Sequence, residues 1–169
     1  RPGASWPREA AVIAHDAELA SVGIATVFDA IRVGSVISFQ KANYGRYARE
    51  AADAILGLKR AGALRISHFL HLRAEICSET LVEELDEFGP EDEIRILSLM
   101  DHTPGFRQFR DVSQLRRYHE GKYGRSTADM DEYLAFLAAL SARVSATHED
   151  AAAARGRARR WPRCSSSPS

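Results

Sequence analysis

Cysteine is scarce in this chain of 169 residues, which contains Cys77 and Cys164 and no others. These two cysteines match no metal-binding spacing, and no secretory signal pattern opens the chain. A disulfide framework is therefore excluded, and a reducing cytoplasm is the expected location. Long apolar runs are missing too, because the longest uncharged stretches, such as 19–28, reach about half the length that spans a bilayer. We expect no membrane contact.

A net charge of either sign is also absent, since 23 basic residues balance 23 acidic ones. The balance is uneven along the chain, because no acidic residue follows Asp150. The first 150 residues hold 18 basic and 23 acidic side chains, a net charge of −5, which gives no net attraction for nucleic acid. Residues 155–169 are rich in arginine and serine and lack an apolar period. We predict that this tail is unstructured or results from a shifted reading frame.

Short β-type runs alternate with segments of helical period between the two ends of the chain. The patterns predict helices over 7–20, 44–62 and 80–88 and from 126 onward, and strands over 23–29, 68–76 and 94–100. Such alternation forms parallel βαβ units with right-handed crossovers, so the predicted fold class is α/β. Ligands of such folds bind beyond the carboxyl ends of the strands.

The second predicted strand ends in the alternation His71-Leu-Arg-Ala-Glu75, which directs His71, Arg73 and Glu75 to one side. Glu75 there offers a hard oxygen donor to a divalent ion, and Arg73 could orient a carboxylate or a phosphate. A structural ion pair between Arg73 and Glu75 is the competing interpretation, because buried charges are usually paired.

The third predicted strand runs into the turn Asp101-His-Thr-Pro-Gly105. His102 at the strand tip would present an imidazole to a metal. Asp101 could orient a metal-binding histidine by a hydrogen bond to its other ring nitrogen. An ordinary capped turn is the alternative, since Asp, Pro and Gly form turns readily. The connection over 103–125 then carries six basic residues against two acidic ones, with four aromatic residues between them. This excess of positive charge is suited to binding a polyphosphate, and a solvated basic surface is the alternative interpretation.

Six segments together resemble the PhnM family, amidohydrolase-superfamily enzymes of bacterial phosphonate degradation. In chain order they are Trp6-Pro7, His15-Asp-Ala17, Gly23 to Ala30, His71 to Glu75, Ser98 to Phe109 and Tyr118 to Tyr123. The resemblance implies a metal-dependent (β/α)8 barrel of the TIM type. Its implied reaction hydrolyses α-D-ribose 1-methylphosphonate 5-triphosphate to the 5-phosphate and diphosphate, within the carbon–phosphorus lyase pathway.

The resemblance also implies a divalent metal ion, with zinc as the expected ion, bound by Glu75 and His102. A metal-activated water is the implied nucleophile, and Asp101 and His71 would support the metal ligands. Five residues match recurrent polar positions of the family, and on charge grounds we expect them to bind the phosphorylated substrate: Arg73, Arg107, Gln108, Lys122 and Tyr123.

A barrel of this type needs about 250 residues, so we expect residues 1–154 to form a partial barrel of about three βα units. The family's first-strand His motif would precede Arg1, which predicts an internal fragment that is inactive alone. Two alternatives stay open. One is an amidohydrolase that cleaves a C–N bond, although small uncharged amides would leave the basic loop without a role. The other is a non-catalytic fragment that binds a partner, including another copy of itself, through open strand edges.

Overall fold

The computed structural model describes residues 7–39, 45–103 and 127–164. Its elements are α1 (Arg8–Ser21), β1 (Thr26–Val33), α2 (Ala48–Arg60), β2 (Ser67–Glu75), α3 (Leu81–Asp86), a 3-10 turn (Pro90–Asp92), β3 (Ile94–Met100), α4 (Thr127–Ala158) and β4 (Arg163–Cys164). The strands form one parallel sheet in the order β1-β2-β3-β4, in which β4 is a two-residue addition beside β3. The predicted α/β class with parallel strands is confirmed, and closure into a barrel stays a prediction.

The two faces of the sheet differ in character, because successive side chains of a strand point to opposite sides. One face is apolar and forms the core with α2 and α3; Ile31, Val33, Leu70, Leu72 and Ala74 are all buried there. Full burial of one such aliphatic side chain contributes about 1.5–3 kcal/mol. The helical period of α2 supplies the complementary surface through residues such as Ala48, Ala52 and Ile55.

The other face, which we call the open face, mixes polar and apolar side chains. Strand register and alternation assign it the following side chains: Phe28, Ala30, Arg32, Phe69, His71, Arg73, Glu75, Ile96, Ser98 and Met100. Phe28 is 46% exposed, and its ring centroid lies 5.9 Å from that of Phe69. His71, Arg73 and Glu75, which the sequence places on one side of the strand, thus lie opposite the helix-covered core.

A second apolar cluster lies at the carboxyl end of the sheet. Val36 and Cys77 pack there against Tyr133, Leu137 and Leu140 of α4. These three residues recur at the three- and four-residue spacing of one helix face, and all three are buried.

The amino end of the sheet holds a buried polar cluster on the core side. Asp16 of α1 is fully buried and accepts hydrogen bonds from the backbone N–H groups of Arg65 (2.8 Å) and Ile66 (3.1 Å). His68, also buried, has its Nδ1 2.8 Å from Oδ2 of Asp29. At this end of parallel strands, polar residues usually serve stability rather than ligand binding.

The first strand lies further along the chain than predicted, since it begins at Thr26 instead of Gly23. It continues to Val33 instead of ending at Asp29, so Asp29 and Arg32 lie within the strand and not after it. The charge of Asp29 does not end the strand, because its carboxylate pairs with His68 on the neighbouring strand. Gly34 then ends the strand at φ 101°, where a Cβ atom would lie 2.4 Å from Oγ of Ser78.

The predicted unstructured tail is wrong for residues 155–164. Helix α4 continues through Ala158, so the predicted boundary at 154/155 falls inside it, and Trp161 is buried beyond its end. Arg155 and Arg159 both bind the carboxylate of Asp86 on α3, with N–O distances of 2.8 and 3.0 Å. Long-range ion pairs therefore order a segment whose composition lacks an apolar period. Residues 165–169 lie outside the described part of the chain.

This double ion pair predicts a local acid sensitivity. The hydrogen bond from Arg155 is the main cause that lowers the pKa of Asp86 from 3.8 to about 2. A depressed carboxyl pKa stabilises the folded state above the unfolded pKa, and this contribution disappears as pH falls from about 4 to about 2. We expect Asp86→Asn to lower the melting temperature at pH 7, and we expect the melting temperatures of the variant and the parent to converge below pH 2. Equal melting temperatures at pH 7 would contradict a stabilising role for these ion pairs.

Two further findings concern the surface. Within the described ranges, no helix has the length and apolar character needed to cross a bilayer. The outer edge of β1 has no strand partner among the described residues. Unpaired edges invite pairing with other chains, so association of the purified chain through this edge stays a prediction.

Candidate metal and anion site

The carboxyl ends of β1, β2 and β3 lie side by side because the three strands are parallel. Their register places Arg32 beside Arg73 and Glu75 beside Met100. These four side chains and that of His102 line a cavity of about 170 Å³. The cavity thus lies at the strand ends where α/β folds bind their ligands.

Glu75 and His102 are in direct contact, although 27 positions separate them in the sequence. Oε2 of Glu75 contacts Nδ1 of His102, and the backbone N–H of His102 donates to Oε1 of Glu75 at 3.3 Å. Glu75 is only 4% exposed. The hydrogen bond with this carboxylate is the main cause that raises the pKa of His102, against the lowering effect of burial. The two expected metal ligands therefore meet at one end of the sheet.

Arg73 is half-buried on β2 and does not pair with Glu75, whose carboxylate contacts His102 instead. Among the residues that the structure describes, the Arg73 guanidinium has no hydrogen-bond or ion-pair partner. Its positive charge lowers the pKa values of His71 and His102, in each case as a smaller cause than burial. The alternative of a structural Arg73–Glu75 ion pair is therefore wrong.

The two supporting residues expected around the metal ligands have other partners. Nε2 of His71 lies 2.8 Å from Oγ of Ser98 on the neighbouring strand. Asp101 accepts a hydrogen bond from the backbone N–H of Thr103 at 3.0 Å, as in an ordinary Asx turn. The charge of Asp101 also raises the pKa of His102. Asp101 therefore acts on His102 through its charge as well as shaping the turn.

Arg32 is a cavity residue that the sequence patterns did not single out for substrate binding. Its guanidinium donates to the carbonyl oxygens of Gly34 (2.7 Å) and Gly45 (3.1 Å) and lies 5.3 Å from the ring centroid of Tyr47. The Tyr47 hydroxyl in turn accepts the backbone N–H of Arg32 at 3.0 Å. Its place at the cavity follows from its register opposite Arg73. This register is known only once the pairing of β1 with β2 is known.

The remaining residues expected to bind the substrate lie outside the described part of the chain. They are Arg107, Gln108, Lys122 and Tyr123. Their assignment stays a prediction from sequence.

The donor chemistry of Glu75 and His102 suits a divalent ion, because carboxylate oxygen and imidazole nitrogen are both ligands of zinc. In 7–39, 45–103 and 127–164, no group of three or more His, Cys, Asp or Glu residues could hold a metal. Catalytic zinc sites usually have three protein ligands. The pair would supply part of a site of this kind.

Comparison with known proteins gives one informative similarity. The chain is 34% identical over 160 residues to alpha-D-ribose 1-methylphosphonate 5-triphosphate diphosphatase from Escherichia coli (strain K12). The resemblance to PhnM is confirmed. The matched region covers 95% of this chain and 42% of the relative, so the chain spans less than half of the relative's length. No protein-family profile and no solved structure matches the chain.

Proposed function

We propose that this chain is part of a hydrolase of phosphonate metabolism. The proposed reaction converts α-D-ribose 1-methylphosphonate 5-triphosphate to the 5-phosphate and diphosphate, and the E. coli relative is named as a diphosphatase of this 5-triphosphate. The observation that carries the proposal is the direct contact of Glu75 with His102 at the strand ends. These residues come from two separate segments of the PhnM resemblance, and the similarity to the relative runs through both. The proposal keeps the cytoplasmic location expected from the sequence.

Glu75 and His102 would hold a divalent ion, with zinc as our expectation, together with ligands from outside the described residues. When bound, such an ion lowers the pKa of water and offsets the charge of the phosphate groups. Glu75 and His102 would determine where the ion is bound. The contact between Glu75 and His102 holds both side chains at the cavity, and burial of Glu75 limits its access to solvent.

Charge separates this proposal from the C–N hydrolase alternative. The cavity is lined by Arg32 and Arg73, while its carboxylate is already engaged by His102. A small uncharged amide would offer no anionic group to the Arg73 guanidinium, which has no partner among the described residues, and desolvated unpaired charges are costly. A substrate rich in phosphate offers oxygens to both guanidinium groups. The charge of the cavity therefore supports a phosphorylated substrate.

The test is an assay of the full reading frame that contains this sequence, loaded with zinc. We expect release of diphosphate from the 5-triphosphate, loss of this release after chelation, and recovery when zinc is restored. The corresponding 5-monophosphate serves as the control substrate, because it contains no diphosphate group to release. Hydrolysis of amide substrates without any release of diphosphate would overturn the proposal in favour of the C–N hydrolase alternative. The 169-residue chain alone is expected to be inactive.

A further inference from the structure

Helix α4 is hydrogen-bonded to the turn that carries His102. The next residue, Thr103, is 2% exposed, and its hydroxyl donates to Oγ of Ser141 on α4 at 2.9 Å. Oγ of Ser145, one turn further along the helix, lies 2.9 Å from Oγ of Ser141. Serine is a neutral to unfavourable residue in a helix interior. What Ser141 contributes is therefore a contact outside its own helix.

The same helix contacts the residues that follow Glu75. Nδ1 of the buried His148 lies 3.1 Å from the carbonyl oxygen of Ile76, and it carries a proton because a carbonyl oxygen can only accept. The thiol of Cys77 donates to the carbonyl oxygen of Leu137 at 3.5 Å. Contacts at the ends of two strands hold α4 against sliding along its axis. The Ser141 hydroxyl therefore has a defined position relative to the turn.

The backbone around His102 is held at several points. The N–H of His102 donates to Oε1 of Glu75 at 3.3 Å, and the N–H of Thr103 donates to Oδ1 of Asp101 at 3.0 Å. The first of these bonds is long, and the second restrains only the turn itself. The Thr103–Ser141 hydrogen bond ties this turn to a helix residue 38 positions away. A ligand held in place before the metal arrives loses less conformational entropy on binding.

We propose that Ser141 is a positioning residue for metal binding, which holds His102 beside Glu75 through its hydrogen bond with Thr103. The inference rests on the proposed function, because it takes Glu75 and His102 as ligands of the divalent ion. Ser141 acts through Thr103 and not on the ion itself. Its hydroxyl fixes the buried side chain of the residue after His102, and this restricts the backbone of His102. The ion then meets a histidine that is already in place and binds more tightly.

The experiment measures the zinc affinity of the full-length protein by competition with a chelator, and the free energy of unfolding of the same metal-free samples. Thr103→Val keeps the shape of the side chain and removes its hydroxyl, whereas Thr103→Ser keeps the hydroxyl. We expect Thr103→Val and Ser141→Ala each to weaken zinc binding by about 3- to 10-fold, as for the loss of one hydrogen bond. Thr103→Ser should bind zinc nearly as tightly as the parent.

A double variant shows whether the two side chains act through one bond. In that case, adding Ser141→Ala to Thr103→Val should weaken zinc binding no further, because the bond is already lost. Losses that multiply in the double variant would show that the two hydroxyls act separately, and would overturn the proposal. Parental zinc affinity in Thr103→Val or in Ser141→Ala would also overturn it. If Ser141→Ala does not fold, the comparison of Thr103→Val with Thr103→Ser decides.

Two controls separate positioning from stability. Thr147→Ala removes a hydroxyl from an exposed position of α4 and should leave zinc affinity and stability unchanged. Leu140→Ala shortens a buried side chain next to Ser141 in the chain. It should lower the free energy of unfolding by more than Ser141→Ala does and leave zinc affinity at the parental value. An equal fall in zinc affinity in Leu140→Ala and Ser141→Ala would assign the effect to helix packing and overturn the proposal.

The parent enzyme tests the proposed function separately. A parent that binds zinc and releases diphosphate, with Ser141→Ala and Thr103→Val at parental zinc affinity, would leave the proposed function standing and this inference refuted. A parent that binds no zinc would refute both, and this result precedes any comparison of variants.

Discussion

Glu75→Gln is expected to abolish diphosphate release in the full-length enzyme and to deplete its zinc. The amide has nearly the shape of the carboxylate, so the packing around a side chain that is 4% exposed is retained. What is lost is the anionic oxygen that contacts His102 and is proposed to bind the metal. Loss of a group that merely supports a metal ligand costs about 10- to 100-fold in affinity or activity. Loss of a ligand should cost more, so we expect turnover to fall by well over 100-fold.

The measurements are diphosphate release and zinc per protein chain, made on the same samples. Glu83→Gln is the matched control, because Glu83 is exposed on α3 and the same chemical change there should leave both quantities unaltered. A Glu75→Gln enzyme with full zinc content and full turnover would show that Glu75 and His102 form a structural ion pair. In that case the metal would be bound elsewhere in the protein.

The strands that the sequence predicts best are those whose boundaries are set locally. The predicted limits of β3 agree with the structure, and those of β2 differ by one residue at each end. The first strand differs by four residues at its end because Asp29 pairs with His68, 39 positions away. In the sequence, a charged residue such as Asp29 indicates the end of a strand. Its partner on the next strand, which keeps it inside the strand, is seen only in the folded structure.

The candidate site likewise contains positions that could be predicted locally and positions that depend on distant partners. The meeting of Glu75 and His102 could be predicted, because both follow strands that run in parallel and end at the same edge. The neighbour of Arg32 at the site could not be predicted, since its position opposite Arg73 depends on the register between β1 and β2. The structure of residues 155–164 depends likewise on a distant partner, because Arg155 and Arg159 pair with Asp86.

The open face of the sheet offers a decisive test of the proposed barrel. Leu72 lies on the helix-covered face and is fully buried, whereas Phe28 on the open face is 46% exposed. In the sheet as it stands, Leu72→Ala leaves a cavity and should cost about 2–5 kcal/mol. Phe28→Ala removes a half-exposed ring and should cost much less. A closed barrel would remove this contrast, because its interior is filled by side chains from the open face while Leu72 stays buried against the helices.

We therefore expect Phe28→Ala in the full-length enzyme to reduce the free energy of unfolding by about 3–5 kcal/mol, as for a fully buried phenylalanine. Denaturant unfolding of the full-length parent, Phe28→Ala and Leu72→Ala measures this directly, and Leu72→Ala confirms that the assay detects the loss of a core side chain. Ile13→Ala, at an exposed apolar residue of α1, is the surface control and should cost little. If Phe28→Ala costs no more than Ile13→Ala while Leu72→Ala costs its full amount, then the open face remains in solvent in the complete protein. The parallel strands would in that case belong to an open sheet, and the barrel prediction would be wrong.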